Sequence, residues 1–133
     1  MNTAPHGAHR LHLDTHVLVW LYAGAFDRLS QKAMTLLESE LLCCSPMAVL
    51  ELQYLFEAGM VTQPPNEVIS ALERRIGLVV TEAKTSSAVS EAIRVQLEDP
   101  FDRLIVADAA LEQAPLLTRD ETIRKSYSLA VWD

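Results

Sequence analysis

Short apolar runs alternate with longer amphipathic stretches along this chain. Arg10–Leu13, Leu41–Cys44, Leu78–Val80 and Leu116–Thr118 are brief, Leu- and Val-rich segments of the kind that form fully buried strands. The stretches between them carry helix start and stop signals. Thr15–Tyr22 follows Asp14, and the chain loosens at Gly24. Ser30 caps a helix over Gln31–Glu40. Ser45-Pro46 sets a hydroxyl cap before proline at the first helical position and opens Pro46–Ala58, which stops at Gly59. Asn66 is the expected cap of Glu67–Arg75, which Gly77 ends. Ser86–Gln96 reads as a further helix, Asp99-Pro100 opens one reaching about Gln113, and Asp120 starts a short turn over Glu121–Lys125. Leu129–Trp132 is a weak candidate for a last strand. Strands separated by helices predict an α/β fold with a parallel sheet covered on both faces. Ligands in such sheets gather at the carboxyl ends of the strands. Asp14 and Asp120 both follow strands and belong at that edge.

At 133 residues the chain is expected to form one domain, and a half-hydrophobic composition excludes disorder. Met1–His9, with Pro5 and Gly7, reads as a flexible tail ahead of a domain over residues 10–133. His6, His9 and His12 recur every third residue, but nothing in the tail would hold them around a metal. Adjacent Cys43 and Cys44 point to opposite faces of their strand and suit neither a disulfide nor zinc, so a reducing cytoplasm is the expected compartment. No signal peptide is expected, and the apolar stretch Val17–Phe26 is about half of what a bilayer requires. The net charge of −7, from 18 acids and 11 bases, argues against coating nucleic acid through bulk positive charge. It permits a nuclease with clustered bases, or a subunit with a basic partner.

The acids carry the chemistry. Asp14 and Asp120 can each cap the helix that follows, Asp99 precedes the helix-opening Pro100, and Asp102 falls in a first turn where the helix dipole favours an anion. Asp108 reads as a solvated helix-face residue. Glu51 has no such role: it sits mid-helix, within the stripe Met47, Leu50, Tyr54, Leu55 and Ala58, where a buried ion pair is the plain alternative. Carboxylates ~4 Å apart repel by about 4 kcal/mol at an effective dielectric near 20, so converging acids need protons or a cation. An all-oxygen donor set favours Mg²⁺ or Mn²⁺ over zinc. His16, two residues past Asp14, is expected to pack or hydrogen-bond. Thr15 and Thr118, beside these acids, suit orienting a water or phosphate oxygen, or bonding to local backbone. Four of the 11 bases, Arg103, Arg119, Arg124 and Lys125, adjoin Asp102 or Asp120. They form a solvated helix face or a clamp for phosphate.

LDTHVLVW, SPMAVLEL, DPFDRLIVADAA and LLTRD, in that order and at those separations, resemble the PIN-domain family, and are most similar to the VapC-type toxins of toxin–antitoxin pairs. The resemblance runs from about Leu11 to the end. It implies a three-layer α/β/α fold with a short parallel sheet and the first strand central, making residues 10–133 a single PIN domain. It also implies a metal-dependent endoribonuclease using Mg²⁺ or Mn²⁺, a homodimer, and inhibition by a cognate antitoxin. By motif, the metal and catalytic acids are Asp14, Glu51, Asp102 and Asp120, with Asp99 an accessory acid and Thr118 the family's Ser/Thr before the last acid; Thr15, beside Asp14, is a further accessory candidate. Asp108 falls where relatives carry a small or neutral residue and receives no role. Alternative readings are a PIN nuclease of RNA processing and a degenerate, RNA-binding PIN protein. All four acids are present, which weighs against the latter.

Two other acid-dependent folds fit less well. A phosphorylated receiver domain wants an acidic pair after the first strand and a lysine after the last; here Thr15 follows Asp14, and the only C-terminal lysine is Lys125. A haloacid-dehalogenase-type phosphatase wants a second aspartate two residues after the first, where His16 stands. Trp20, Tyr22 and Phe56 suit either the core or an interface.

Overall fold

The computed structural model describes residues 10–133. The tail Met1–His9, with His6 and His9, lies outside them. Five strands form an all-parallel sheet in the order β3-β2-β1-β4-β5: β1 (Arg10–Leu13), β2 (Leu41–Cys44), β3 (Val79–Val80), β4 (Leu116–Leu117) and β5 (Ala130–Val131). Seven helices connect and cover them in a three-layer α/β/α arrangement: α1 (Thr15–Ala23), α2 (Gln31–Ser39), α3 (Pro46–Glu57), α4 (Pro65–Ile76), α5 (Thr85–Ile93), α6 (Pro100–Leu111) and α7 (Glu121–Ser126). A 3₁₀ turn at Phe26–Arg28 precedes α2. The weak last strand is real, since Leu116 and Leu117 pair with Ala130 and Val131.

The central strand fixes the rest. β1 pairs with β2 on one side and β4 on the other, so the chain winds outward to β3 and then restarts across β1. The direction of winding reverses between β1 and β4, and the carboxyl ends of strands at such a reversal are the usual ligand position in these sheets. Leu11 and Leu13 are fully buried in the apolar core with Val17, Leu18, Leu72 and Leu117. His12 and its register partner Cys43 take the opposite face, where His12 Nε2 meets Glu112 Oε1 at 2.9 Å. Arg10 also pairs with Glu112, so α6 is pinned to β1 by a polar contact as well as by packing. Cys43 and Cys44 are buried free thiols whose pKa values burial pushes up to about 12.

Some sequence expectations shift. Pro64, not Asn66, caps α4, and helix formation starts at Pro65 because proline tolerates the first position, whose N–H has no partner anyway. α5 starts at Thr85 and ends at Ile93, short of Gln96. The buried face of α3 is Ala48 and Leu52; Leu50 and Tyr54 are 44% and 57% exposed and Ala58 is exposed, so the apolar stripe placed two of its large side chains on the wrong side. Asp108 is buried at 6% exposure, not solvated. It accepts a hydrogen bond from the Ser45 hydroxyl, the group that caps α3 by accepting the Met47 amide. Trp20 and Tyr22 pack half-buried against the core, and Trp20 also lies 6.0 Å from Trp132.

Candidate metal centre

Three elements distant in sequence deliver the central acids. Asp14 ends β1 and caps α1, its Oδ1 accepting the Thr15 amide at 2.8 Å. Glu51 projects from the middle of α3. Asp102 lies in the first turn of α6, where its amide donates to Oδ1 of the cap residue Asp99 at 3.1 Å. One carboxylate oxygen from each of Asp14, Glu51 and Asp102 falls within 4.8 Å of the other two.

Asp120 is outside this trio. It caps α7, with Oδ1 accepting the amides of Thr122 and Ile123 at 2.8 and 3.1 Å. It shares a cleft with Asp99 and Asp102, and its charge is felt at both Asp14 and Asp102.

The threonines join these acids. Thr15 donates its hydroxyl to Glu51 Oε1 at 2.5 Å, and Thr118 donates to Asp14 Oδ2 at 2.6 Å. Thr118 also accepts the Asp120 amide at 3.0 Å. Both hydroxyls are therefore spent on carboxylates rather than on local carbonyls. Asp14 is only 3% exposed, yet each of its oxygens has a donor and a lone pair left over.

The electrostatics are unfavourable without a cation. Burial raises the pKa of Asp14 and of Glu51, partly offset by hydrogen bonds from Thr118 and Thr15. Asp102 accepts no comparable bond among the described residues. Burial, then the charges of Asp14, Asp99, Glu51 and Asp120, push it up to about 7. No lysine or arginine among the described residues forms an ion pair with any of the three. Exposed His16 stacks on Trp20 at 6.0 Å, and its nearby charge lowers the pKa of Asp14 and Glu51. A divalent ion fits this donor set: octahedral bonds of ~2.1 Å place its ligand oxygens within about 4.2 Å of one another, and the three carboxylates already bring an oxygen each within 4.8 Å of the others. Mg²⁺ and Mn²⁺ match its hardness.

The bases divide into two kinds. Arg103 is turned inward, donating Nε to the Leu97 carbonyl and Nη1 to that of Ala92. Arg124 donates to the Arg119 carbonyl and approaches Asp133 at 3.6 Å. Arg119 and Lys125 are exposed, without an ion pair among the described residues.

Residues 11–128 match the PIN domain family. The chain belongs to the PIN domain family. Comparison with curated protein sequences finds no match. Among solved structures, this PIN domain is similar to VapBC2 from Rickettsia felis bound to a DNA fragment from its promoter, at 17% identity and a TM-score of 0.69, covering 92% of this chain and 98% of that one. A toxin–antitoxin complex from Klebsiella pneumoniae is 17% identical with a TM-score of 0.63, over 91% of this chain and 95% of that one. FitAcB from Neisseria gonorrhoeae is 18% identical with a TM-score of 0.56, over 92% and 96%. These likenesses establish the shared PIN fold.

Two contacts had little sequence signal. The Asp108–Ser45 bond joins residues 63 apart in the chain. His12, Cys43 and Glu112 also bring donor atoms within 4.8 Å of one another, but Arg10 and His12 already occupy the Glu112 carboxylate. The one hint of the latter was a histidine between Leu11 and Leu13 in a buried strand.

Proposed function

We propose that this chain is a metal-dependent endoribonuclease, the toxin of a type II toxin–antitoxin pair, hydrolysing RNA phosphodiester bonds. The observation that carries it is the convergence of Asp14, Glu51 and Asp102, acids from three separate elements with raised pKa values and no basic partner among the described residues. PIN family membership and the fold shared with toxin–antitoxin complexes support the same reading. Asp14, Glu51, Asp102 and Asp120 would hold Mg²⁺ or Mn²⁺, with Asp99 accessory. Bound there, a divalent ion lowers the pKa of water and neutralises charge developing on the phosphate. The chain's part is positional. Thr15 fixes Glu51 against Asp14, and Thr118 fixes Asp14 against the Asp120 backbone, so the acids are pre-oriented. Exposed Arg119 and Lys125 would contact the RNA. In-line attack leaves a 5′-phosphate and a 3′-hydroxyl. In this reading the protein works in the cytoplasm, pairs as a homodimer and is silenced by a cognate antitoxin. Residues 10–133 form one PIN domain behind the tail 1–9. No helix among the described residues is long and apolar enough to cross a membrane.

The test is cleavage of total RNA by the folded, antitoxin-free protein with and without Mn²⁺, with ends mapped. Mn²⁺-dependent 5′-phosphate ends, absent in Asp14→Asn, are expected. Absence of cleavage by wild type, or full activity in Asp14→Asn, overturns the assignment. A neighbouring short reading frame for a DNA-binding protein separates a toxin from an RNA-processing enzyme.

A further inference from the structure

A single strand reaching the acid cluster has to leave it across the surface of a protein with a net charge of −7. Gln96 and Thr122 line both the cleft at Asp99, Asp102 and Asp120 and a neighbouring open cavity of about 520 Å³. Arg94 and Lys125 line this cavity, from the end of α5 and the last turn of α7. Both are exposed, and neither forms an ion pair or side-chain hydrogen bond among the described residues. Gln96, Thr122 and Ser126 add neutral donors, and Glu91 is the one acid in the lining. Arg103 and Arg124 donate to backbone carbonyls, so Arg94 and Lys125 are the cations lining this cavity whose side chains are open to a ligand.

We infer that this cavity is a phosphate subsite for the flanking part of a single-stranded RNA, one to a few nucleotides from the bond that the acid cluster would cut. The inference rests on the endoribonuclease reading. Two cations without ion pairs among the described residues, beside neutral donors, suit a phosphodiester oxygen, and the lining residues shared with the acid cleft set the cavity next to the acids. A backbone subsite is sequence-neutral, so it lengthens the required substrate without selecting bases.

The experiment measures binding of labelled single-stranded RNAs of three and twelve nucleotides to wild type and to Arg94→Ala/Lys125→Ala, without added metal and across a salt series. The substitutions remove exposed side chains, and thermal melting checks that the fold survives. The expected result is about a tenfold loss for the twelve-mer at ~0.1 M salt, with the log-affinity slope against log salt shallower by roughly 1.4, near 0.7 for each lost phosphate contact. Affinity for the three-mer falls by less than that for the twelve-mer. Glu91→Gln is expected to act in the opposite direction, tightening the twelve-mer roughly twofold. Unchanged twelve-mer affinity and slope in the double variant, or an equal loss on the three-mer, overturns the subsite. A polyglutamate peptide that binds as tightly as the twelve-mer and is lost in the same variant also overturns it, in favour of an acidic protein partner. Wild type that binds RNA but fails to cut it with Mn²⁺ removes the nuclease reading and leaves the subsite standing; wild type that cuts RNA with Mn²⁺ but binds the twelve-mer no more tightly than the three-mer removes the subsite and leaves the nuclease reading.

Discussion

Burial, and then four neighbouring acids, push the Asp102 carboxyl up to about 7 in the metal-free protein. An unfolded aspartate titrates near 3.8. Between those values the native state binds the extra proton, so the stability contributed by this group is full below about 3.8 and is lost as pH rises through about 7. Metal-free protein is therefore expected to lose stability from this site between pH 5 and pH 8, measured as the denaturant midpoint after EDTA treatment. Asp102→Asn should flatten that slope and be the more stable protein at pH 8. Equal slopes in the two proteins would remove Asp102 from the strained position assigned to it. Thr118 works in the other direction, as a donor that helps Asp14 stay ionised. Thr118→Val keeps the shape and removes the hydroxyl, leaving a buried carboxylate short of one bond. Hydrogen bonds to charged groups contribute about 1.5–3 kcal/mol, so a loss of about tenfold or more in Mn²⁺ affinity is expected by calorimetric titration.

Helices α3 and α6 bring Glu51 and Asp102 to the cluster, and two contacts hold those helices together. Tyr54 and Phe101 meet edge-on with centroids 5.3 Å apart, one turn from Glu51 and next to Asp102. Deeper in, buried Ser45 donates to buried Asp108 while capping α3. Asp108→Ala is expected to cost about 1–3 kcal/mol of unfolding free energy, since it strands the Ser45 hydroxyl, whereas Asp108→Asn retains an acceptor and should recover most of it. Ser45→Ala should cost more than either, because it also removes the cap, worth about 0.5–2 kcal/mol. Chemical denaturation of the three variants gives that order directly. These helices also show where the sequence is legible. Asp14 and Asp99 could be placed because strand ends, caps and proline positions are local rules, and the structure finds both acting as caps. The inward face of α3 could not: the segment PMAVLELQYLFE is apolar nearly all round, so periodicity has little contrast, and small Ala48 rather than Leu50 takes the close contact. Glu51 is conspicuous in sequence as a mid-helix acid, but it lies half-buried on the flank beside α6 rather than in the core stripe. Asp108 was unreadable for a different reason. An acid on a helix defaults to solvent, and its partner Ser45 is 63 residues away.

At the scale of the whole chain, the acid cluster couples distant segments. Asp14 directly follows the central strand and Asp102 lies in a helix 88 residues later, so unfolding separates ligands that only the native fold brings together. A divalent ion bound by the native site alone must then stabilise the entire domain, by RT ln(1 + [ion]/Kd). At a hundredfold excess over Kd this is about 2.7 kcal/mol, and for a domain of this size roughly 2–8 °C of melting temperature per kcal/mol follows. Wild-type protein is expected to melt several degrees higher in saturating Mn²⁺ than in EDTA, and the rise should be larger at pH 8 than at pH 5, where protons compete for Asp102. Asp14→Asn should lose the rise while melting normally in EDTA, because asparagine still caps α1 and still accepts from Thr118. A Mn²⁺-induced rise of the same size in that variant would place the stabilising ion elsewhere on the surface. Reversal by EDTA separates ion binding from irreversible change. Because melting reads the ion without RNA or turnover, it measures the centre independently of the proposed activity.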